Sequence, residues 1–188
     1  MISESRFWKA ELNRWADFLE RRRGARRWSE ASTARVEKAV MLGFFAIRRL
    51  IESKGRLSDS TIRRPIRLTL FPSKSQHVTL LNCHRIDRHF NLASRRRKYL
   101  GLGDLCNQFI HSYVFTLYVG SRSGLQGFLV SSEQRRKRAL YEVPVRTVIN
   151  LFRRAAADDP NSESWVFESS IGDYRVTARL LKHREHAA

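Results

Sequence analysis

Residues 31–53 carry the strongest folding signal in the chain, a broad apolar stripe with the period of an α-helix. Val36, Val40, Phe44 and Ile47 follow one another at spacings of three or four residues, so a helix places them on one face. Because 42% of the chain is hydrophobic, this face has enough partners to be buried in a core. The sequence therefore predicts a folded chain built around this helix.

Two further helices are predicted from the same period in the first 120 residues. Over residues 6–23, Trp8, Leu12, Trp15 and Leu19 recur every three or four positions. A third, long helix is predicted from the apolar residues Leu102, Leu105, Phe109, Tyr113 and Leu117. The first half of the chain is therefore expected to be mainly helical.

One strand is predicted within this helical half. Ile66, Leu68 and Leu70 alternate with polar residues, and Pro65 and Pro72 bracket them. Because proline has no N–H to donate to a neighbouring strand, prolines at both ends favour an edge position in a sheet.

Beyond residue 120 the pattern changes to short strands around one helix. The predicted segments are a turn at 121–124, strands over 125–130 and 138–143, a helix over 144–157, a hairpin of strands over 165–169 and 174–181, and a frayed tail over 182–188. The whole chain is predicted to be α+β, with a helical N-terminal half and a ββαββ C-terminal portion. Two divisions fit: a basic helical domain over 1–120 with a β-rich extension over 121–188 packed on it, or one single domain.

The chain is strongly basic. Seven Lys and 29 Arg stand against 18 Asp and Glu, which leaves a net charge of +18. The arginine side chain carries a planar fork of donors that suits phosphate and stacks on bases, so the excess predicts a nucleic-acid partner, with RNA expected rather than DNA. Residues 60–103 hold ten Lys and Arg and one Asp, a net charge of +9, and form the predicted centre of the contact.

The predicted phosphate contacts lie in this window and at the tip of the first C-terminal hairpin. Residues 94–98 of the window are expected to form a basic loop. The predicted contacts are Arg63, Arg64, Arg67, Arg95, Arg96, Arg97 and Lys98 in the window, and Arg135, Arg136 and Lys137 at the tip.

Asn107 and His111 form the most informative polar pair of the chain. Four residues apart on a helix, they share one face beside the most cationic segment. Histidine exchanges a proton near neutral pH, and a neighbouring amide can orient it or a phosphate. The pair therefore fits either a ribonuclease-like site or a half-buried pair that satisfies its hydrogen bonds within the helix packing.

This helix resembles the signature helix of HEPN domains, small helical modules of prokaryotic toxins and defence systems. Their motif is an Arg, then Asn, Asp or His, and after three more residues a His, so Asn107 and His111 match the second and last positions. The helices predicted at 6–23 and 31–53 are similar to the long antiparallel pair at the core of that family. The resemblance covers about residues 6–119.

The resemblance implies a metal-independent endoribonuclease in a defence or toxin–antitoxin setting, which leaves a 2′,3′-cyclic phosphate. It implies that His111 is the general acid and base and that Asn107 orients it. Cys106 stands where the family has its catalytic Arg. Either the site is inactive for cleavage or an arginine of the basic window supplies the charge, from Arg85, Arg88 or Arg95–Arg97. Arg85 or Arg88 is the expected clamp on the phosphate. Further expectations are a homodimer with the site across its interface, and an acidic partner or antitoxin protein.

Other classes of function lack a sequence signal. Cys83 and Cys106 have no paired spacing typical of a zinc site, and no cluster of carboxylates predicts magnesium, so no metal or cofactor is expected. Two cysteines make no disulfide framework, and a reducing cytoplasm is the expected compartment. No apolar run is long enough to span a bilayer, so no membrane partner is expected.

Two alternatives to the ribonuclease use the same positive charge. One is a non-catalytic subunit of a larger complex that holds RNA or DNA by its phosphates. The other is a module that binds an acidic protein.

Overall fold

The computed structural model describes residues 4–74, 77–120 and 124–181. These residues form six helices and seven strands. The helices are α1 (Ser5–Arg23), α2 (Glu30–Glu52), α3 (Asp59–Arg63), α4 (Ile86–His89), α5 (Leu102–Ile110) and α6 (Val145–Ala157). The strands are β1 (Ile66–Pro72), β2 (Arg96–Leu100), β3 (Ser112–Val119), β4 (Leu125–Ser132), β5 (Ala139–Pro144), β6 (Ser162–Glu168) and β7 (Asp173–Arg179). Most of the turn predicted at 121–124 and the tail predicted at 182–188 lie outside the described residues.

Five strands form one antiparallel sheet in the order β2-β1-β5-β4-β3, and β6 and β7 form a separate hairpin. Strands β1, β2 and β3 precede residue 120, whereas β4 and β5 follow it. The segments 1–120 and 121–188 therefore contribute to the same sheet and, in their described parts, to the same hydrophobic core. The fold is mixed α+β, as predicted.

The main core lies between one face of the sheet and the helices α1, α2, α5 and α6. Phe44 of α2 stacks on Phe109 of α5 with ring centroids 4.0 Å apart, and Phe152 of α6 meets Phe44 edge-on at 5.4 Å. Phe128 of β4 lies 6.1 Å from Phe109. All four rings are fully buried, and burial of each stabilises the fold by roughly 1.5–3 kcal/mol.

The first two predicted helices are confirmed to within one residue at each end. The start of α2 is fixed by a reciprocal cap in which the Ser29 hydroxyl accepts from the Ser32 N–H and the Ser32 hydroxyl accepts from the Ser29 N–H. The helix α6, which follows Pro144, and the β6–β7 hairpin also match their predictions to within a few residues.

The prediction of a third long helix is wrong beyond Ile110. His111 caps α5, and the chain continues as β3, which pairs with β4 from Ser112 to Val119. The apolar spacing that suggested a longer helix includes Tyr113 and Leu117, but this segment is rich in β-branched and aromatic residues that suit a strand. The local sequence is compatible with a helix and with a strand, and hydrogen bonding to β4 selects the strand.

The prediction that β1 is an edge strand is also wrong. β2 pairs with Ile66 to Leu70, and β5 pairs with Thr69 to Pro72 on the other side, so each half of β1 has a neighbour. Pro65 precedes the strand and Pro72 is its last residue, so neither proline interrupts the ladder within the strand.

The basic loop predicted at 94–98 is largely a strand. Arg96 to Lys98 belong to β2, the edge strand beside β1, and their side chains are exposed. An edge strand tolerates charged side chains, and these discourage pairing of its free side with another chain.

A smaller cluster of buried residues covers one end of the opposite face of the sheet. Phe71, Leu140, Val78 and Phe90 form its centre, with Ile86 of α4 packed against them. At the other end of this face, Thr69 is partly exposed and Arg97 is exposed. We refer to that end as the open face.

Gly43 in α2 allows Phe152 to approach the helix. A Cβ added at Gly43 would lie 2.1 Å from the Cζ atom of Phe152, whose ring is fully buried among other core side chains. We expect Gly43→Ala to lower the free energy of unfolding by about 1–3 kcal/mol despite the better helix propensity of alanine. Urea denaturation measures the change.

Gly103 in α5 provides the matched control, because the nearest atom to its added Cβ is an Arg48 nitrogen at an ordinary 3.6 Å. We expect Gly103→Ala to be neutral or stabilising by up to about 1 kcal/mol. If Gly43→Ala also stabilised the protein, the close approach of Phe152 would not constrain α2.

Candidate functional site

Asn107 and His111 line one cavity at the end of α5, with a volume of about 410 Å³. Arg48 of α2 and Arg135, from the turn between β4 and β5, line the same cavity, as does Asp104 one turn earlier in α5. We call this space the His111 cavity. Its lining includes a histidine, amides and two guanidinium groups, side-chain types that can act in phosphate chemistry, together with the carboxylates of Asp104 and Glu133.

Hydrogen bonds between α5 and the end of β4 hold the cavity together. Gln108 is buried, and its side-chain oxygen accepts from the Ser132 N–H at 3.1 Å. The next residue, Glu133, donates its N–H to the His111 carbonyl at 3.0 Å. These two bonds tie the β4–β5 turn to the end of α5, and so bring Arg135 to the same cavity as His111.

Several polar side chains of the cavity have no partner within the described part of the chain. Asp104, Asn107, His111 and Arg135 make no side-chain hydrogen bond or ion pair with any described residue, so the helix does not satisfy the Asn107–His111 pair internally. Arg48 is different, since its Nε donates to Glu52 at 2.7 Å and that bond lowers the pKa of the Glu52 carboxyl. The unpartnered groups remain available to a ligand.

Cys106 does not face this cavity. It is fully buried in the main core, and burial raises the pKa of its thiol to about 12. An arginine at position 106 would have to enter the same apolar core, where an unpaired charge costs several kcal/mol. In this fold, therefore, position 106 is a core position, and a cation of the His111 cavity has to come from elsewhere.

Arg85 and Arg88, the predicted source of that cation, lie elsewhere in the monomer. Arg85 immediately precedes α4, and Arg88 lies within it. Ile86 of the same helix packs on the second core cluster, against the opposite face of the sheet. The cations that line the cavity are Arg48 and Arg135. Arg135 was predicted only as a phosphate contact, and Arg48 was missed because its spacing to Glu52 is that of an ordinary surface pair on a helix.

A second cluster of arginines lines a groove between β1, β2 and the start of α6. Two adjoining cavities of about 200 and 400 Å³ share Arg67 and Thr147 as lining residues. The groove exists because β5 pairs with β1 only from Thr69 onward, which leaves the first residues of β1 facing the first turns of α6. We call this feature the arginine groove; its arginines are Arg64, Arg67, Arg95, Arg96, Arg97 and Arg154.

The arginines of the groove largely lack counter-ions. Arg95 donates to Glu142 at 2.6 Å, but the other five form no ion pair or side-chain hydrogen bond with any residue that the structure describes. Elsewhere many of the acidic side chains form ion pairs, for example Asp17 with Arg153 and Asp173 with Lys54. Unpaired like charges in one groove repel one another, and a bound anion relieves that repulsion.

The remaining predicted contacts lie outside the groove. Arg63 pairs with Asp59, and Lys98 is exposed on β2 without lining either cavity. Arg136 packs its guanidinium over the Tyr113 ring, 3.9 Å from the centroid, which is a structural contact. Lys137 is exposed at the tip of the β4–β5 turn. Arg154 of the groove was missed because only the tertiary structure brings α6 beside β1.

Comparison of this chain with family models, with curated proteins and with solved structures finds no match. Within the described residues, no three His, Cys, Asp or Glu side chains are grouped so that they could hold a metal ion. None of the described helices has both the length and the hydropathy of a membrane span.

The difference in burial between the two cysteines predicts their reactivity. Cys83 is partly exposed, whereas the thiol of Cys106 is buried and its pKa is raised to about 12, so it carries almost no thiolate at neutral pH. We expect Ellman's reagent to modify one thiol in the native protein and two after unfolding in guanidinium. The Cys83→Ser variant should then show none in the native state; rapid labelling of that variant would mean that α5 does not bury Cys106.

Proposed function

We propose that this protein binds nucleic acid through the arginine groove, with RNA as the first ligand to test. The observation that carries the proposal is the row of five arginines without counter-ions along one groove. Each guanidinium can make paired hydrogen bonds to a phosphate, and each phosphate bound releases condensed counter-ions. A backbone of regularly spaced phosphates fits a groove with several cations better than a single small anion does.

Charge reversal in the groove tests this proposal. We expect Arg64→Glu/Arg97→Glu to weaken binding of a labelled RNA oligonucleotide by more than about tenfold, because two phosphate contacts become repulsive. The slope of log Kd against log salt should fall by about 2. Fluorescence anisotropy at several salt concentrations measures both quantities.

The matched control carries the same change in net charge outside the groove. Arg26 and Arg179 are exposed, form no ion pair with a described residue and line neither cavity of the groove. We expect Arg26→Glu/Arg179→Glu to weaken binding by less than about threefold. Equal losses in the two variants would mean that the affinity comes from net charge alone, against a dedicated groove.

The His111 cavity supports a second candidate function, metal-independent cleavage of RNA. His111, Asn107 and Arg135 line one cavity and have no competing side-chain partner among the described residues. The HEPN resemblance implies roles for the same Asn–His pair, which adds to the support. In this mechanism the 2′-oxygen of a ribose attacks the adjacent phosphorus while the bond from phosphorus to the 5′-oxygen breaks.

Four of the residues that line the cavity have a role in that reaction. His111 accepts the proton of the 2′-hydroxyl and returns a proton to the leaving 5′-oxygen, which gives a 2′,3′-cyclic phosphate and a 5′-hydroxyl. Arg135 neutralises the charge that develops on the phosphate oxygens, and Asn107 orients the phosphate or the imidazole. Arg48 adds positive charge beside them, although it is partly neutralised by Glu52.

The test is incubation of labelled RNA with purified protein in EDTA. We expect the unmodified protein to yield 2′,3′-cyclic phosphate ends, and His111→Ala and Arg135→Ala to lose at least about 100-fold in rate. His84→Ala is the control, because His84 is exposed and does not line the cavity. Cleavage that survives in His111→Ala, or no cleavage by the unmodified protein, would reject this second function and leave the binding proposal intact.

A further inference from the structure

The antiparallel register places an aromatic side chain beside two arginines on the open face. Tyr99 of β2 lies directly opposite Arg67 of β1, and Arg97 lies opposite Thr69. Residues directly opposite one another, and residues two apart on one strand, point to the same face of a sheet. Tyr99, Arg67 and Arg97 therefore share the open face at its outer edge, next to the arginine groove.

The fold makes no evident use of the Tyr99 ring. It is 52% exposed, belongs to neither core cluster and stacks on no other aromatic ring of the described chain. Its hydroxyl makes no hydrogen bond with a described residue. Arg67 and Arg97 are exposed and lack ion pairs with described residues, so the planar ring lies next to two cations that are free to bind an anion.

The Glu142 carboxylate on the same face already has hydrogen-bond partners. Glu142 accepts from Arg95 at 2.6 Å and from the Tyr118 hydroxyl at 3.1 Å. Burial and the neighbouring Glu142 raise the pKa of Tyr118 to about 12, so Tyr118 remains a donor at neutral pH. A phosphate near Arg67 or Arg97 therefore meets little repulsion from the Glu142 carboxylate.

We propose that Tyr99 stacks on an unpaired base while Arg67 and Arg97 hold the flanking phosphates, so that the ligand of this surface is single-stranded nucleic acid. This inference rests on the proposed nucleic-acid binding and adds the class of strand. An exposed ring flanked by cations suits a single strand, since each unpaired base offers a free π-face for stacking. In a duplex those faces are already stacked on neighbouring bases, and the ring has nothing to contact.

Binding of three oligonucleotides of equal length tests the proposal: a single strand, a duplex and a single strand with abasic sugars. We expect Tyr99→Ala to weaken binding of the single strand roughly five- to 100-fold, the range measured for loss of one stacked base. Binding of the duplex and of the abasic strand should stay unchanged, since both rely on phosphates alone. Tyr99→Phe should retain the affinity because it keeps the ring.

Tyr174→Ala is the control, a tyrosine of similar exposure (48%) whose ring packs on Trp165 and Phe167 of the separate β6–β7 hairpin. It should bind all three ligands like the unmodified protein. Loss of abasic-strand binding in Tyr99→Ala, or unchanged single-strand binding, would overturn the stacking proposal. If Arg64→Glu/Arg97→Glu still lost affinity in that case, the proposed groove would stand without it. Failure of the unmodified protein to bind any of the three ligands would overturn both.

Discussion

The stack of Phe44 on Phe109 is the interaction on which most of the structure depends. The two rings, 4.0 Å apart, join α2 to α5. Phe152 of α6 packs against Phe44 and approaches the backbone of α2 at Gly43, which has no side chain. Because Phe109 is directed into the core, Asn107, two residues earlier on the helix, lies on a more exposed side and lines the His111 cavity. Packing of apolar rings thereby sets the orientation of the polar candidate site.

The same packing explains the division of charge over the surface. Covering one face of the sheet with four helices leaves the open face and the gap between β1 and α6 accessible to solvent, and the unpaired arginines of the groove lie there. Many of the acids are held in local pairs, such as Arg48 with Glu52 within α2. Part of the net charge of +18 is thus concentrated in the groove, where five of the six arginines form no ion pair with a described residue.

The candidate sites were only partly predictable from the sequence. The basic window did contain Arg64, Arg67 and Arg97, because a run of cations with few acids is visible without a structure. Arg48 and Arg154 gave no such signal, since each is an ordinary helical cation until α2 and α6 take their places beside α5 and β1. Arg85 and Arg88 had the right chemistry for a phosphate site, but α4 packs near the far face of the sheet.

The sequence by itself determined α1, α2, α6 and the β6–β7 hairpin, because their hydrophobic period and end signals are local properties of the chain. Only the tertiary structure decided where α5 ends, since Ser112–Val119 suits a helix by spacing and a strand by composition, and pairing with β4 favours the strand. It also placed β1 inside the sheet and moved the basic segment at 96–98 to the edge. The pairings of β1 with β2 and with β5 join segments far apart in the sequence, so no local pattern records their outcome.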